Sequence, residues 1–196
     1  MKSLLIIFLF VFCLCLEDEK LSSWKKYTVT KEDQTLKSVM AVTYTNYTEN
    51  SKNIDMKIDD LLLLTVYNQL VNGMNFKITF VDRKSDFPSI HEYIVNRPIP
   101  KNGEDLVYSI LERNEYDESK GLIKFDDPKF TEVENQLYKF LKKKSINLLY
   151  ISYVYPVEND ETKFYIINAD TEDGENLFVV GYDKAAKKYD FCVKLK

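Results

Sequence analysis

The chain has 196 residues, of which 45% are hydrophobic and 30% are charged, and its formal net charge is -4. These values are typical of a soluble globular protein with one large domain or two small ones. Lysine and glutamate are interspersed and no basic stripe is present, which excludes the electrostatic pattern of a nucleic-acid-binding protein. We therefore expect no nucleic-acid partner.

The N-terminus predicts a secretory signal peptide over residues 1–15. Lys2 precedes a continuous apolar run over residues 4–14, and an acidic stretch follows soon after it. The run is too short to span a bilayer and fits a signal peptide that is cleaved near Cys15. No later segment is apolar enough to stop transfer. We therefore expect a mature protein that is secreted or delivered to a lysosome-like or vacuole-like lumen, with no membrane partner.

Two further features concern the secretory path. Cys13 and Cys15 fall within the signal peptide, so Cys192 is the single thiol of the mature chain and no internal disulfide is expected. We expect Cys192 to be half-buried in a strand, with an intermolecular disulfide as the alternative. The sequence Asn-Tyr-Thr at residues 46–48 makes Asn46 a candidate for N-linked glycosylation.

The first regular elements are a helix and a β-hairpin. Apolar residues at helical spacing predict a helix over residues 31–49, with Thr30 as its N-cap. Residues 61–67 and 74–81 are rich in strand-favouring side chains. The stretch between them ends in Asn72-Gly73, the strongest short turn signal, because both residues tolerate a positive φ. The pattern therefore predicts a hairpin with its tip at Asn72 and Gly73.

Two more strands complete this half of the chain. Residues 89–96 and 106–111 are the third and fourth predicted strands. Residues 97–104 contain Pro98 and Pro100, which cannot donate to a strand ladder, so this segment is predicted to be a second hairpin loop.

The same order of elements starts again after Asp126-Asp127-Pro128. The sequence predicts a helix with an apolar stripe, which consists of Phe130, Val133, Leu137, Phe140 and Leu141. It then predicts four strands, at residues 148–157, 163–169, 177–182 and 188–195. The repeated order predicts an α+β fold of two units, each with one helix packed on a four- to five-stranded antiparallel sheet. The second unit, with about 70 residues, is small enough that we expect it to depend on the first for its core.

The first half of the chain resembles the cystatin family, inhibitors of papain-like cysteine proteases. Gln69-Leu70-Val71-Asn72-Gly73 matches the Gln-x-Val-x-Gly first loop of that family. Residues 98–107 are similar to the Leu-Pro-Gly-x-Asn-Glu-Asp-Leu-Val segment of the stefin branch, and residues 117–125 resemble the stefin C-terminal end. The resemblance implies a cystatin-like inhibitory domain over residues 22–125 and a degenerate cystatin-like domain over residues 128–196.

The function that the resemblance implies is reversible inhibition without chemistry. Two hairpin loops of the first domain would occupy the substrate cleft of a papain-like, cathepsin-like protease. The protease-binding residues implied in this way are Gln69, Leu70, Val71, Asn72, Gly73, Ile99 and Pro100. Two features depart from the family. The N-terminal segment has no glycine before Gly73 in the mature chain, and stefins generally have no signal peptide.

The predicted second domain lacks the apolar loop residues. At the place of Gln-x-Val-x-Gly, residues 157–161 read Val-Glu-Asn-Asp-Glu. Ala185 and Ala186 stand where the family has a Pro-Trp or Leu-Pro pair. We therefore expect no papain-type inhibition from this half.

An enzymatic function is not expected. The mature chain has one histidine, His91, and one cysteine, Cys192, in strands that we predict to lie in different units, so a Cys-His nucleophile pair is not indicated. No Cys/His cluster has the spacing of metal ligands, and no glycine-rich phosphate loop is present, so we expect no metal and no cofactor. The alternatives left open are a non-inhibitory secreted recognition module and a legumain-type site near Asn50 and Asn53.

Overall fold

The computed structural model describes residues 23–30, 32–51, 55–85, 88–100, 102, 105–116 and 121–195. The predicted signal peptide, residues 1–15, lies outside these ranges, as does Asn53. Within them, none of the helices combines the length and the hydropathy that crossing a bilayer requires.

The described residues form nine strands and two α-helices. The strands are arranged in two sheets, one with the order β1-β2-β3-β4-β5 and one with the order β6-β7-β8-β9. The first sheet contains β1 (Lys25–Lys26), β2 (Leu61–Leu70), β3 (Met74–Asp82), β4 (Ile90–Arg97) and β5 (Ser109–Tyr116). The second contains β6 (Leu148–Glu158), β7 (Thr162–Thr171), β8 (Gly174–Asp183) and β9 (Lys188–Lys194). Helix α1 is Gln34–Asn50 and helix α2 is Pro128–Lys143.

The prediction of the fold class is wrong. We expected an α+β fold with two cystatin-like units, each of which packs one helix on a four- to five-stranded antiparallel sheet. The structure is mostly antiparallel sheet, with five strands in one sheet and four in the other. Successive side chains of a strand point to opposite faces of the sheet, and one helix can cover only one face. In β3, however, both faces are buried: Phe76, Ile78 and Phe80 on one, and Lys77, Thr79 and Val81 on the other.

Each helix begins at an aspartate that caps it. The Oδ1 atom of Asp33 accepts a hydrogen bond from the backbone N–H of Leu36 at 2.9 Å, and its Oδ2 accepts one from the Tyr27 hydroxyl at 2.7 Å. The hydrogen bond from Leu36 has the largest effect on the Asp33 carboxyl group, and together the two bonds hold its pKa below the ordinary value. The prediction of Thr30 as N-cap is therefore wrong. Asp127 caps α2 in the same way, with Pro128 in the first turn.

The chain divides into two compact units. The first unit holds the described residues up to Phe80 together with Glu92–Asn114, and the second holds Val81–His91 and the described residues from Glu115 onward. The expected domain bounds, 22–125 and 128–196, stay predictions.

The predicted helical stripes are confirmed as buried or partly buried surfaces. The core of the first unit includes Leu36 and Val39 of α1, with Met40 and Tyr47 packed against it, beside Phe76 of β3. The core of the second unit contains four residues of the α2 stripe, and the fifth, Phe140, packs against it. Strand residues of β6, β7 and β8 supply the rest: Ile151, Val154, Tyr165, Ile167, Ala169, Phe178 and Val180.

Tyr165 carries a polar atom inside this second core. Its side chain is fully buried, and no described group hydrogen-bonds to its hydroxyl. A buried hydroxyl without a partner destabilises the folded state, so we expect Tyr165→Phe to raise the free energy of unfolding by about 1 kcal/mol. Urea denaturation followed by circular dichroism measures this change.

Tyr155 supplies the matched control for that substitution. It is equally buried, but its hydroxyl donates to the backbone oxygen of Pro88 at 3.4 Å. Tyr155→Phe is therefore expected to leave stability unchanged or to lower it. A loss of stability in Tyr165→Phe would contradict the prediction and would show that an ordered water satisfies the Tyr165 hydroxyl.

Candidate functional site

The first hairpin loop has the turn geometry that the sequence predicts. Strand β2 ends at Leu70 and β3 begins at Met74, so the tip consists of Val71, Asn72 and Gly73. The φ angle is 42° at Asn72 and 123° at Gly73. Both values lie in the left-handed region that asparagine and especially glycine tolerate, which explains why this pair ends the hairpin.

Gly73 also brings the first loop against the second. A β-carbon built on Gly73 would lie 2.5 Å from the backbone oxygen of Arg97 and 3.1 Å from the α-carbon of Pro98. Only a glycine allows such a close approach of two backbones. The two predicted loops therefore lie side by side in the first unit. We call this surface the loop edge and define it as residues 69–73 and 97–100.

The loop edge exposes apolar side chains. The exposed fraction of the residue is 56% for Leu70, 40% for Val71 and 69% for Ile99. Asn72 and Pro100 are also exposed, whereas Gln69 is half-buried at the end of β2. Contiguous exposed apolar surface on a soluble protein often marks a binding site for another protein. Six of the seven residues named by sequence as protease-binding are thus exposed or half-buried at the loop edge, and the seventh, Gly73, is buried between the two loops.

Polar contacts behind the loop edge connect its strands. The Nδ2 atom of Asn96 in β4 donates to the Oδ1 atom of Asn75 in β3 at 2.7 Å. The Nδ2 atom of Asn68 in β2 lies 3.7 Å from the sulfur of Met74 in β3, as a weak hydrogen bond. These contacts join strands near both loops, so the loops are held by the sheet rather than by their own residues.

The N-terminal strand leads to the same edge. Lys25 pairs with Asn68 and Lys26 with Tyr67 in antiparallel register. Because β2 runs toward the first loop, Ser23 and Trp24 run alongside the end of β2 toward that loop. The Nζ atom of Lys77 lies 4.6 Å from the centroid of the Trp24 ring. Sequence reasoning missed β1, because a strand of two lysines has no hydrophobic period.

The corresponding hairpin of the second unit has a closed, polar tip. The Oδ1 atom of Asn159 accepts hydrogen bonds from the backbone N–H groups of Thr162 at 2.7 Å and Glu161 at 3.1 Å. Lys184, from the β8–β9 turn, donates through Nζ to the Asn159 backbone oxygen at 2.6 Å and through its backbone N–H to the Glu161 oxygen at 3.0 Å. This tip presents no apolar side chain comparable to Val71.

His91 is buried in a strand, and Cys192 is half-buried in a strand, as predicted. His91 lies in β4 and Cys192 in β9, and both belong to the second unit rather than to different units as predicted. Burial raises the pKa of the Cys192 thiol to about 12, so the thiol stays protonated and is a poor nucleophile. Among the described residues, no group of three or more His, Cys, Asp or Glu side chains could hold a metal ion.

Burial of His91 predicts that stability depends on pH. Desolvation lowers its pKa from the ordinary 6.5, against the opposing effects of Glu115 and Asp82. At a pH between the folded and unfolded pKa values, His91 is protonated in the unfolded chain but not in the folded chain. Protonation therefore stabilises the unfolded chain, and the free energy of unfolding falls as the pH drops through 6.5. We expect a lower urea midpoint at about pH 5.5 than at about pH 7.5.

The His91→Gln variant is the control for this pH dependence. His91 is the single histidine of the chain, and ordinary carboxylates titrate at lower pH. The variant is therefore expected to show little change of midpoint over the same interval. A wild-type midpoint that stays level or rises on acidification would contradict the prediction.

The candidate glycosylation residue, Asn46, lies in the last part of α1 and is half-buried. Asn50, named with Asn53 for a legumain-type site, is the last residue of that helix, and its side chain donates to the Asn46 backbone oxygen.

Comparison with known proteins assigns the chain to no family. No protein-family model and no curated protein matches it.

Proposed function

We propose that this protein is a reversible inhibitor of papain-like cysteine proteases and that the loop edge enters the substrate cleft of the enzyme. The observation that carries the proposal is the contact between Gly73 and Arg97, which joins two loops whose sequences resemble the inhibitory loops of cystatins. A partner that buries Leu70, Val71 and Ile99 gains the free energy of removing apolar surface from water.

The backbone of the loop edge favours binding without cleavage. A protease cleaves a segment that lies extended in its cleft, and the positive φ angles of Asn72 and Gly73 bend the tip away from that conformation. Pro98 and Pro100 restrict the second loop before binding, so little conformational entropy is lost when the complex forms. The inhibitor would thus occupy the cleft of a cathepsin-like enzyme and leave it uncut.

The cellular setting belongs to the same proposal. A signal peptide over residues 1–15 would bring the protein into a secreted or lumenal compartment, where papain-like proteases of the lysosomal kind act. The protein itself would act without a cofactor and without a catalytic residue.

Titration of papain with the purified mature protein tests the proposal. We expect stoichiometric loss of activity at micromolar or lower inhibitor concentration, recovery of activity on dilution, and an intact inhibitor chain by mass spectrometry. Absence of inhibition at micromolar concentration, in a sample shown to be folded by circular dichroism, would overturn the proposal. That result would favour the alternative of a non-inhibitory secreted recognition module.

A further inference from the structure

A groove of about 460 Å³ runs beside α1 in the first unit. Its lining includes Val42, Asn46 and Glu49 from α1 and Tyr108, Ile110 and Arg113 from the segment that contains β5. This volume lies in the range of small-molecule and single-sugar sites. The lining combines an aromatic ring and aliphatic side chains with charged and amide groups, the mixture that suits the apolar face and the hydroxyl rim of a sugar ring.

Asn46 leaves an unsatisfied acceptor at this groove. Its Oδ1 atom is buried and has no hydrogen-bond partner among the described residues. The nitrogen of the same amide, Nδ2, is not one of the buried atoms without a partner. The amide thus turns its oxygen toward the interior and leaves its nitrogen available for an attached group.

The sequence supplies a reason for an attached group. Asn46-Tyr47-Thr48 is the single Asn-x-Ser/Thr sequence of the chain. We propose that Asn46 carries an N-linked glycan whose first sugar lies in the groove. The apolar face of that sugar lies against Tyr108 and Ile110, and its hydroxyl rim reaches Glu49 and Arg113. This inference rests on the expected passage through the secretory path and not on protease inhibition.

The covalent step is a transfer from a lipid-linked pyrophosphate oligosaccharide. The bond between Nδ2 and the anomeric carbon of the sugar forms, and the bond between that carbon and the pyrophosphate oxygen breaks. The pyrophosphate leaves with the electron pair, Nδ2 loses one proton, and nothing is oxidised or reduced.

The transfer must precede folding. In the folded protein the Thr48 hydroxyl donates to the backbone oxygens of Tyr44 at 2.9 Å and Thr45 at 3.0 Å. The helix therefore occupies the hydroxyl that the sequon needs, and it holds residues 46–48 in a helical rather than an extended conformation. The sugar would be attached to the unfolded chain, and α1 would then form with the sugar beside it.

Intact mass measures the first part of the proposal. The full chain is produced in eukaryotic cells and collected from the medium, and its mass is compared before and after treatment with peptide N-glycosidase. We expect a fall in mass and conversion of Asn46 to aspartate. Thr48→Ser keeps the sequon and should keep the glycan, whereas Thr48→Ala should remove it. An unmodified wild-type chain, or a chain that never enters the medium, would overturn the proposal.

The rate of glycan removal measures the second part. A sugar seated in the groove is sheltered, so we expect the native protein to lose its glycan about tenfold more slowly than the denatured protein, a factor equal to about 1.4 kcal/mol. Tyr108→Ala and Arg113→Ala should each make removal from the native protein faster. Arg113 is exposed, so its variant is expected to fold even if Tyr108→Ala does not. Equal rates for native and denatured wild type would overturn the placement in the groove.

Discussion

Replacing Val71 with glutamate is expected to weaken inhibition of a papain-like protease by about 100-fold or more, which corresponds to about 2.7 kcal/mol of binding free energy. Val71 is at the tip of the first loop, and the residue is 40% exposed. In the proposed complex it would be buried against the cleft, where a carboxylate without a partner is strongly unfavourable. Since the side chain is exposed in the free protein, the fold should not change.

Val29→Glu is the matched control for this substitution. Val29 is the same residue type in the same unit, and the residue is 52% exposed. Val29 follows β1, which is antiparallel to β2. The backbone N–H of Tyr27 donates a hydrogen bond to the backbone oxygen of Val66. This register takes Val29 away from the loop edge, toward the start of β2. We expect unchanged inhibition. Equal losses in the two variants, or full inhibition by Val71→Glu, would contradict the role given to the tip. Inhibition constants and thermal melts provide the measurement.

Replacing Gly73 with alanine is expected to lower the free energy of unfolding by about 3 kcal/mol. Two effects add at this position. The φ angle of 123° is strained for any residue with a β-carbon, and that carbon would lie 2.5 Å from the Arg97 backbone oxygen. A backbone atom cannot rotate away as a side chain can, so the two loops must separate. Inhibition should therefore weaken together with stability.

Gly174→Ala separates these two effects. Gly174 has a φ angle of 105°, but no heavy atom lies within 4 Å of the place where its β-carbon would be. It therefore carries the backbone strain without the collision, and we expect a loss of only about 1 kcal/mol. Urea denaturation of both variants gives the comparison. Equal losses would show that the approach of the two loops is looser than the structure has it.

The regular elements were predictable where the side chains follow a clear period. The stripes of α1 and α2 have such a period, and clusters of strand-favouring side chains indicated β2, β3 and β6–β9. Strand β5 was predicted at residues 106–111 but occupies Ser109–Tyr116. It is an edge strand and carries Glu112, Arg113 and Glu115. These charged residues interrupt the apolar pattern by which a strand is predicted from sequence. They also disfavour pairing of this edge with a strand of another molecule.

The fold class failed for a related reason. Lys77 and Thr79 alternate with apolar residues in β3, a pattern that indicates one buried and one solvated face. Both side chains are buried nonetheless. Sequence periodicity cannot show that the second face of a sheet is covered, because a polar residue at such a position is interpreted as facing water.

The candidate site was predictable in its residues but not in its geometry. The turn at Asn72-Gly73 is a local property, and its positive φ angles follow from the residue types. The contact of Gly73 with Arg97 depends on how β2, β3 and β4 are aligned in the sheet, which the sequence does not state. The buried oxygen of Asn46 was equally hidden, since a sequon does not reveal the groove beside it.

The placement of Trp24 gives the protein an internal fluorophore next to its loop edge. Trp24 is the single tryptophan of the chain, and its ring faces the ammonium group of Lys77. Tyrosines, by contrast, occur in both units. The fluorescence of Trp24 therefore reports whether β1 is attached to β2. Tyrosine fluorescence reports on the whole molecule. Detachment of the N-terminal strand from β2 can thus be observed as an optical change in the unlabelled protein.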